Sequence, residues 1–353
     1  VIHSVIRSGY QLVFNTVFRR MDAERAHHVG AAVIRGIGKR DWCADQLAKF
    51  TAPDPSLRVQ TLGLEFPSPF GLAAGFDKNA DMTDGLGALG FGHVEVGTVT
   101  PLAQPGNPKP RMYRLTADRG LINRMGFNND GAEAALAALK QARTDRCIVG
   151  VNIGKNKVTP AENAVDDYVA AATALREVAD YLVINVSSPN TPGLRGLQEL
   201  DALAPILEAT RDAASGVPVL VKIAPDLEDD AIARICELAI KVGLDGIVAT
   251  NTTIAREPLE TSARIVEAYG AGGLSGAPLK ERSLEVLRTV RRHVPADFCV
   301  ISVGGVTTAD DVQERLDAGA TLVQGYTAFL YEGPGWAAAI NAGLAAKRRN
   351  RAA

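Results

Sequence analysis

Asn185, Ser187, Ser188, Asn190 and Thr191 crowd amide and hydroxyl side chains into residues 185–191, directly after the apolar run Tyr181-Leu182-Val183-Ile184. A buried strand that ends in so much hydrogen-bonding capacity points to a ligand; the plainer alternative is a Ser/Pro/Asn turn bonding its own backbone. Asn123, Asn185, Asn190 and Asn251 each carry a donor and an acceptor on one amide. That pattern complements a cyclic ureide with alternating C=O and N–H groups, although asparagine also caps helices. Lys222 closes the apolar run 217–221, where an unpaired ammonium is costly, so it calls for an anionic or electron-rich partner unless it snorkels to the rim. Lys78, beside Asp77, offers a cation to a carboxylate or forms a plain surface ion pair.

These residues need a scaffold that gathers them, and the apolar runs supply one. Strands are predicted at 69–74, 93–99, 148–153, 181–186, 217–223, 245–250, 298–303 and 320–325, alternating with amphipathic stretches such as 161–179, 200–214 and 227–242. Eight strand-then-helix repeats imply an α/β protein of the (β/α)8 TIM-barrel class, whose ligands bind at the C-terminal strand ends. Those ends read Gly75-Phe76-Asp77-Lys78, Thr98, Asn152, Asn185 with its Ser/Asn run, Lys222, Thr250-Asn251-Thr252, Gly304-Gly305 and Tyr326-Thr327. Eight polar or glycine-rich ends on one face favour a binding site over a set of turns. The glycines after the seventh and eighth strands suit a phosphate-bearing cofactor. Long connections at 101–129 and 251–278 are expected to be functional, and a hairpin over 57–66, turning at Leu62-Gly63, to cover the barrel bottom. The run 85–90 fits GxGxxG but precedes a strand, and 150–156 lacks the final Ser/Thr of a phosphate loop, so neither dinucleotide-binding nor Walker chemistry is supported.

Charge and composition exclude other classes. A net charge of -2 argues against general nucleic-acid binding. Cys43, Cys147, Cys236 and Cys299 stand far apart, and the five histidines form no HxH or HExxH pair, so no metal site, iron–sulfur cluster or disulfide framework is expected and a reducing compartment follows. No apolar run reaches the roughly 18 residues of a membrane span, and no signal peptide with a small-residue cleavage site is visible. The chain begins at Val1 rather than Met, so natural N-terminal residues are expected to be missing. Residues 1–40 carry +5, leaving -7 for the rest. Tyr10, Val13, Phe14, Val17, Phe18 and Met21 form one helical stripe, and Ala26, Val29, Gly30, Val33, Ile34 and Ile37 a second. Two amphipathic helices lying on an anionic membrane fit this pattern, as does a helical pair packed on the barrel.

Several runs together carry a family resemblance: Ala73-Ala74-Gly75-Phe76-Asp77-Lys78-Asn79, Gly97-Thr98-Val99-Thr100-Pro101, Gln104-Pro105-Gly106-Asn107-Pro108, Asn123-Arg124-Met125-Gly126-Phe127-Asn128, Asn152-Ile153-Gly154-Lys155-Asn156, Asn185 to Thr191, Gly273-Leu274-Ser275-Gly276 and Val303-Gly304-Gly305. Over essentially its whole length the chain resembles the membrane-associated, quinone-dependent class of dihydroorotate dehydrogenase. The resemblance implies FMN as hydride acceptor, dihydroorotate as donor, orotate as product and a membrane quinone as final acceptor, in pyrimidine biosynthesis. It implies flavin contacts from Ala74, Gly75, Phe76, Asp77, Lys78, Thr98, Asn152, Asn185, Lys222, Thr250, Gly276, Gly305, Tyr326 and Thr327. Substrate contacts would come from Lys78, Asn123, Arg124, Met125, Gly126, Phe127, Asn185, Asn190, Asn251 and Thr252. Ser188 would be the base; cytosolic relatives have cysteine there, so the serine itself favours the quinone class. His27, Arg114 and Tyr326 would face the quinone.

The expected organisation is a membrane and quinone segment at 1–45 and a catalytic barrel at 46–353. The protein is expected at the cytoplasmic face of a bacterial inner membrane, touching lipid through its N-terminal helices, with no nucleic-acid partner and no obligate protein partner. The competing readings are a cytosolic dihydroorotate dehydrogenase using fumarate or NAD, disfavoured by Ser188, and a flavin-free phosphate-binding isomerase or lyase barrel. A non-catalytic membrane scaffold would leave the eight polar strand ends unexplained.

Overall fold

The computed structural model describes residues 2–143 and 145–352. Eight runs rich in Val, Ile and Leu, too apolar to leave either face in water, close into a parallel barrel in chain order: Phe70–Leu72, His93–Val99, Ile148–Ile153, Tyr181–Asn185, Val219–Ile223, Gly246–Ala249, Cys299–Val303 and Leu322–Gly325. The eighth strand pairs with the first, Val323 opposite Phe70, so the barrel presents no free edge. Alternation divides each strand between two cores. Val94, Val96, Val149, Val151, Leu182, Ile184 and Val221 pack outward against the helices. Tyr181, Val183, Leu220, Val248, Cys299, Ile301 and Leu322 fill the interior.

Phe66, from the expected hairpin of Val59–Thr61 and Leu64–Phe66, joins that interior and meets His93 edge-on at 5.5 Å. Bulk here requires glycine opposite. A Cβ on Gly71 would lie 2.4 Å from the His93 ring, and one on Gly150 would lie 2.1 Å from that of Tyr181. The two long connections are not irregular: Met112–Leu115 and Gly120–Asn123 from the first pair with Gly273–Gly276 from the second in a three-stranded antiparallel sheet beside the mouth.

The N-terminal segment forms α1 (Ile2–Thr16), α2 (Ala23–Gly38) and α3 (Asp41–Thr51). Asp22 caps α2 by accepting from the Arg25 N–H at 2.9 Å. The third helix gives little signal in the sequence because its inward side is only Ala44, Leu47 and Thr51; the Thr51 hydroxyl donates to Ala88 O at 2.6 Å. Neither apolar stripe acts as one face. Phe14 is buried, packing at 5.4 Å on Tyr331, while Val13 and Val17 are exposed; on α2 Ala31 and Ile34 are buried, while Val29 and Val33 are exposed. Each helix therefore docks on the barrel with one edge and offers a second apolar edge outward.

The GxGxxG run lies in and just after the short helix α4 (Thr83–Ala88), as expected, and its glycines serve packing. A Cβ on Gly85 would stand 2.2 Å from the Ile34 carbonyl oxygen of α2. Gly85→Ala is therefore expected to push α2 off the barrel and to destabilise by about 1–3 kcal/mol. Gly30→Ala, where nothing lies within 4 Å, should be neutral or stabilising by up to about 1 kcal/mol. Thermal unfolding, together with the rate of proteolysis within residues 1–40, separates the two.

Candidate active site

The strand ends converge on a cleft walled by seven of the eight barrel strands or their loops, all but the third, and by the antiparallel sheet. At its floor lies a charged group that the sequence reading did not single out. Glu95, mid-way along the second strand and fully buried, accepts from Lys222 Nζ at 3.2 Å and from Asn152 Nδ2 at 2.7 Å on one oxygen. Its other oxygen accepts from Gln324 Nε2 at 2.9 Å. Three donors from the third, fifth and eighth strands thus satisfy one carboxylate, as a buried charge requires.

Hydrogen bonds climb from that floor toward the mouth. Thr98 Oγ1 donates to Asn152 Oδ1 at 2.6 Å, and Asn185 Nδ2 donates to Thr98 Oγ1 at 2.9 Å. Ser187 Oγ donates to Asn185 Oδ1 at 3.0 Å and accepts from Asn251 Nδ2 at 3.0 Å. Asn190 Nδ2 donates to Asn123 Oδ1 at 3.2 Å, joining the fourth strand's loop to the antiparallel sheet. Asn107 fixes the same loop by donating to Asn190 O at 3.0 Å. Arg195 ties it to the sixth strand's loop, donating to Ser187 O at 3.0 Å and Thr252 O at 2.9 Å. Ser188 is buried at the cleft wall, its Oγ accepting from the Asn190 N–H at 3.2 Å. The buried Thr252 Oγ1 meets no hydrogen-bond partner in the protein.

Ala74, Gly75, Lys78, Thr98, Asn123, Met125, Gly126, Phe127, Asn185, Ser188, Asn190, Lys222, Thr250, Asn251, Thr252, Gly276, Gly305, Tyr326 and Thr327 all line the cleft. Four expected residues do not line it. Asn152 lies beneath Thr98; Phe76 packs against Tyr326 at 5.8 Å. Asp77 turns its carboxylate to the N–H groups of Asp81 and Met82, at 3.0 and 2.9 Å, and so shapes the loop that carries Lys78. Arg124 points away, donating to Ala271 O at 3.1 Å and Tyr113 Oη at 2.6 Å. His27 and Arg114 stand outside, toward the N-terminal helices: His27 meets Phe76 edge-on at 4.8 Å, and Arg114 donates to Met21 O. The P-loop-like run is also settled by its contacts, since Lys155 Nζ donates to Asn156 O at 2.8 Å and Thr159 O at 2.6 Å.

Glu95 and Gln324 could have been found as polar residues inside otherwise apolar strands; Arg119 and Ser275, which also line the cleft, carry no comparable signal.

The cleft suits a flat heteroaromatic group with a phosphate tail. One edge is bare backbone: a Cβ on Gly305, after the seventh strand, would lie 2.3 Å from Lys280 Cα, and one on Gly276, at the end of the antiparallel sheet, would lie 2.4 Å from Arg119 O. N–H groups there can approach an anion closely. Lys78, half-buried, has its ammonium pushed down to about 8, chiefly by burial. His27 is pushed down to about 3, by burial and then by the Lys78 charge, so it is neutral. No group of His, Cys, Asp and Glu among the described residues could hold a metal.

Comparison with known proteins gives one answer. A family model described as dihydroorotate dehydrogenase matches residues 56–347. A protein of Clavibacter sepedonicus named dihydroorotate dehydrogenase (quinone) is 64% identical, over 97% of this chain and 100% of its own length. One of the same name from Leifsonia xyli subsp. xyli is 60% identical, over 96% and 99%. The crystal structure of DHODH in complex with ferulenol from Eimeria tenella superposes with a TM-score of 0.84 at 37% identity, covering 96% of this chain and 95% of that one.

The cleft is braced from outside by a buried ion pair. Arg111 Nη2 donates to Glu24 of α2 at 2.8 Å, while its Nη1 donates to the carbonyls of Pro105 and Asn107 at 2.7 and 2.8 Å. Burial alone would raise the Glu24 carboxyl, but Arg111 and Lys109 outweigh it and hold the group below its usual range. This brace is therefore fully present above the unfolded-state value near 4.5 and is lost as pH falls through the lowered native one. Arg111→Met leaves the buried carboxylate with only the exposed Lys109 at 3.3 Å and is expected to cost up to about 3 kcal/mol. Chemical denaturation measures that loss, and hydrogen exchange should show faster opening of residues 105–107.

Proposed function

This chain belongs to the dihydroorotate dehydrogenase family, in its quinone-dependent class, and on that premise we propose how its residues divide the reaction between them. The reaction oxidises dihydroorotate to orotate in pyrimidine biosynthesis and passes the electrons through a flavin to a quinone. The flavin we propose is FMN, which when bound accepts a hydride from the substrate ring. The observation that carries this reading is the meeting, in one cleft, of Ser188, four asparagines or their loops, two lysines and a bare glycine-rich end suited to phosphate.

In this reading Ser188 takes the proton from the ring carbon next to the one that loses hydride. Serine is a poor base at its free pKa, so burial of Ser188 beside hydrogen-bonding neighbours has to make the transfer feasible. Asn123, Asn190 and Asn251 hold the ureide, and Lys78 holds the substrate carboxylate with Met125, Gly126 and Phe127 closing the wall. Asn185 and Thr98 lie between the substrate and FMN ends. Lys222 offers positive charge to the pyrimidine side of the flavin, where negative charge collects on reduction. Gly276, Gly305 and Thr327 hold the phosphate end.

His27, Phe76 and Tyr326, in successive edge-on contacts of 4.8 and 5.8 Å, support a quinone entrance between α2 and the cleft. Arg114 completes that entrance. The exposed Leu12, Val13, Val17, Val29 and Val33, with the +5 charge of residues 1–40, support docking on the anionic cytoplasmic face of the inner membrane. No described helix is long and apolar enough to cross a membrane. Residues 1–45 thus serve the membrane and quinone, and 46–353 the chemistry, although α3 runs across that boundary.

Anaerobic addition of dihydroorotate should bleach the yellow protein, and a short-chain quinone should restore the colour faster than fumarate or NAD. Ser188→Ala should stay yellow yet lose bleaching by at least about a hundredfold in stopped flow; reduction near the wild-type rate would refute Ser188 as base. Lys78 is cationic below about pH 8 and neutral above it. Orotate binding, read from the flavin spectrum, should therefore weaken as pH rises through 8. Lys78→Met should bind weakly at every pH, without that step.

A further inference from the structure

Lys222 does not meet the cleft as a free cation. Its ammonium stands 3.2 Å from the carboxylate of Glu95, which is itself fully buried and which also accepts from Asn152 and Gln324. The Glu95–Lys222 pair has almost no contact with water: the two side chains are 0% and 5% exposed. At such depth, solvent does little to screen the carboxylate from whatever lies above the lysine. A lysine needed only for its charge would be stronger without a neighbour that cancels it, and a carboxylate needed only for folding would not have to stand beneath the cleft.

We propose that Glu95 is a positioning residue that sets how much positive charge Lys222 presents to the flavin, and so holds the flavin's reduction potential below the value a lone lysine would impose. The proposal rests on the reading that FMN occupies the cleft. Two electrons delivered from dihydroorotate leave negative charge on the flavin beside Lys222. Full lysine charge would stabilise that reduced state and hold the electrons back from the quinone, whereas Glu95 opposes it. Asn152 and Gln324 keep the carboxylate fixed, and Asn152 couples it to Thr98 and Asn185 at the cleft wall.

The test is the midpoint potential of the FMN holoenzyme, measured against a reference dye. Glu95→Gln preserves shape and removes the charge. It should raise the potential by about 30 mV or more, a tenfold change in the two-electron equilibrium. Glu95→Asp, which keeps the charge but withdraws it from Lys222, should move the potential the same way by less, and it serves if the glutamine variant does not fold. In a Lys222→Met background the Glu95→Gln shift should shrink or reverse, since the lysine is what the carboxylate acts through. A yellow, folded variant whose potential is unchanged or lowered overturns the role of Glu95 and leaves the FMN reading intact. Apoprotein that takes up no FMN overturns both.

Discussion

The whole site hangs on one constraint: a carboxylate buried inside a barrel must be met by donors from several strands at once. Glu95 is met by Asn152, Lys222 and Gln324, from the third, fifth and eighth strands. None of these donors can move without leaving a buried charge short of a partner, a loss of several kcal/mol. The network therefore fixes the rotation and register of those strands around the interior. Thr98 and Asn185, which bond to Asn152, inherit their positions from it. The polar layer that specifies the site thus also restricts how the barrel can close.

A second brace acts from outside. Glu24 belongs to α2, yet its partner Arg111 also clasps the carbonyls of Pro105 and Asn107, and Asn107 holds Asn190 in the cleft wall. A continuous set of bonds therefore joins the N-terminal helices to the loop beside Ser188. Lys78 sits between the two regions, sensing Glu24 and Arg111 as well as Asp77. A segment that looks in the sequence like a separable membrane attachment is thus part of the mechanical support of the cleft.

The barrel was legible because strands buried on both faces leave unbroken Val/Ile/Leu runs, and polar residues at their ends stand out against them. Ser188, Asn190 and Lys222 announced themselves that way. The antiparallel sheet was hidden because its strands are short and lie in connections full of Pro, Gly and Arg, where local pattern is weak and pairing at long range decides. Helix α3 was hidden because alanine and threonine make most of its inward side. Asp77 and Arg124 lie in runs typical of the family, but adjacency in sequence does not say which way a side chain turns: Asp77 bonds its own loop and Arg124 reaches Tyr113 and Ala271. Glu95 was visible as a charge within an apolar strand, and only the barrel's closure reveals that it faces Lys222.

The order of layers inside the barrel explains why the chemistry sits where it does. At the bottom Phe66, Tyr181, Cys299 and Leu322 form an apolar plug, with Gly150 making room for the Tyr181 ring and Gly71 for that of the adjoining His93. Above it come Glu95, Gln324 and Lys222, and above those Thr98, Asn185, Asn251 and Ser188. Polarity rises toward the mouth along strands whose side chains alternate in and out, so each layer needs only one inward residue from each contributing strand. A charge in the middle layer is deep enough for water to screen it little and close enough to the cleft to act on a ligand. One layer lower it would have no ligand to act on, and one layer higher solvent would weaken it.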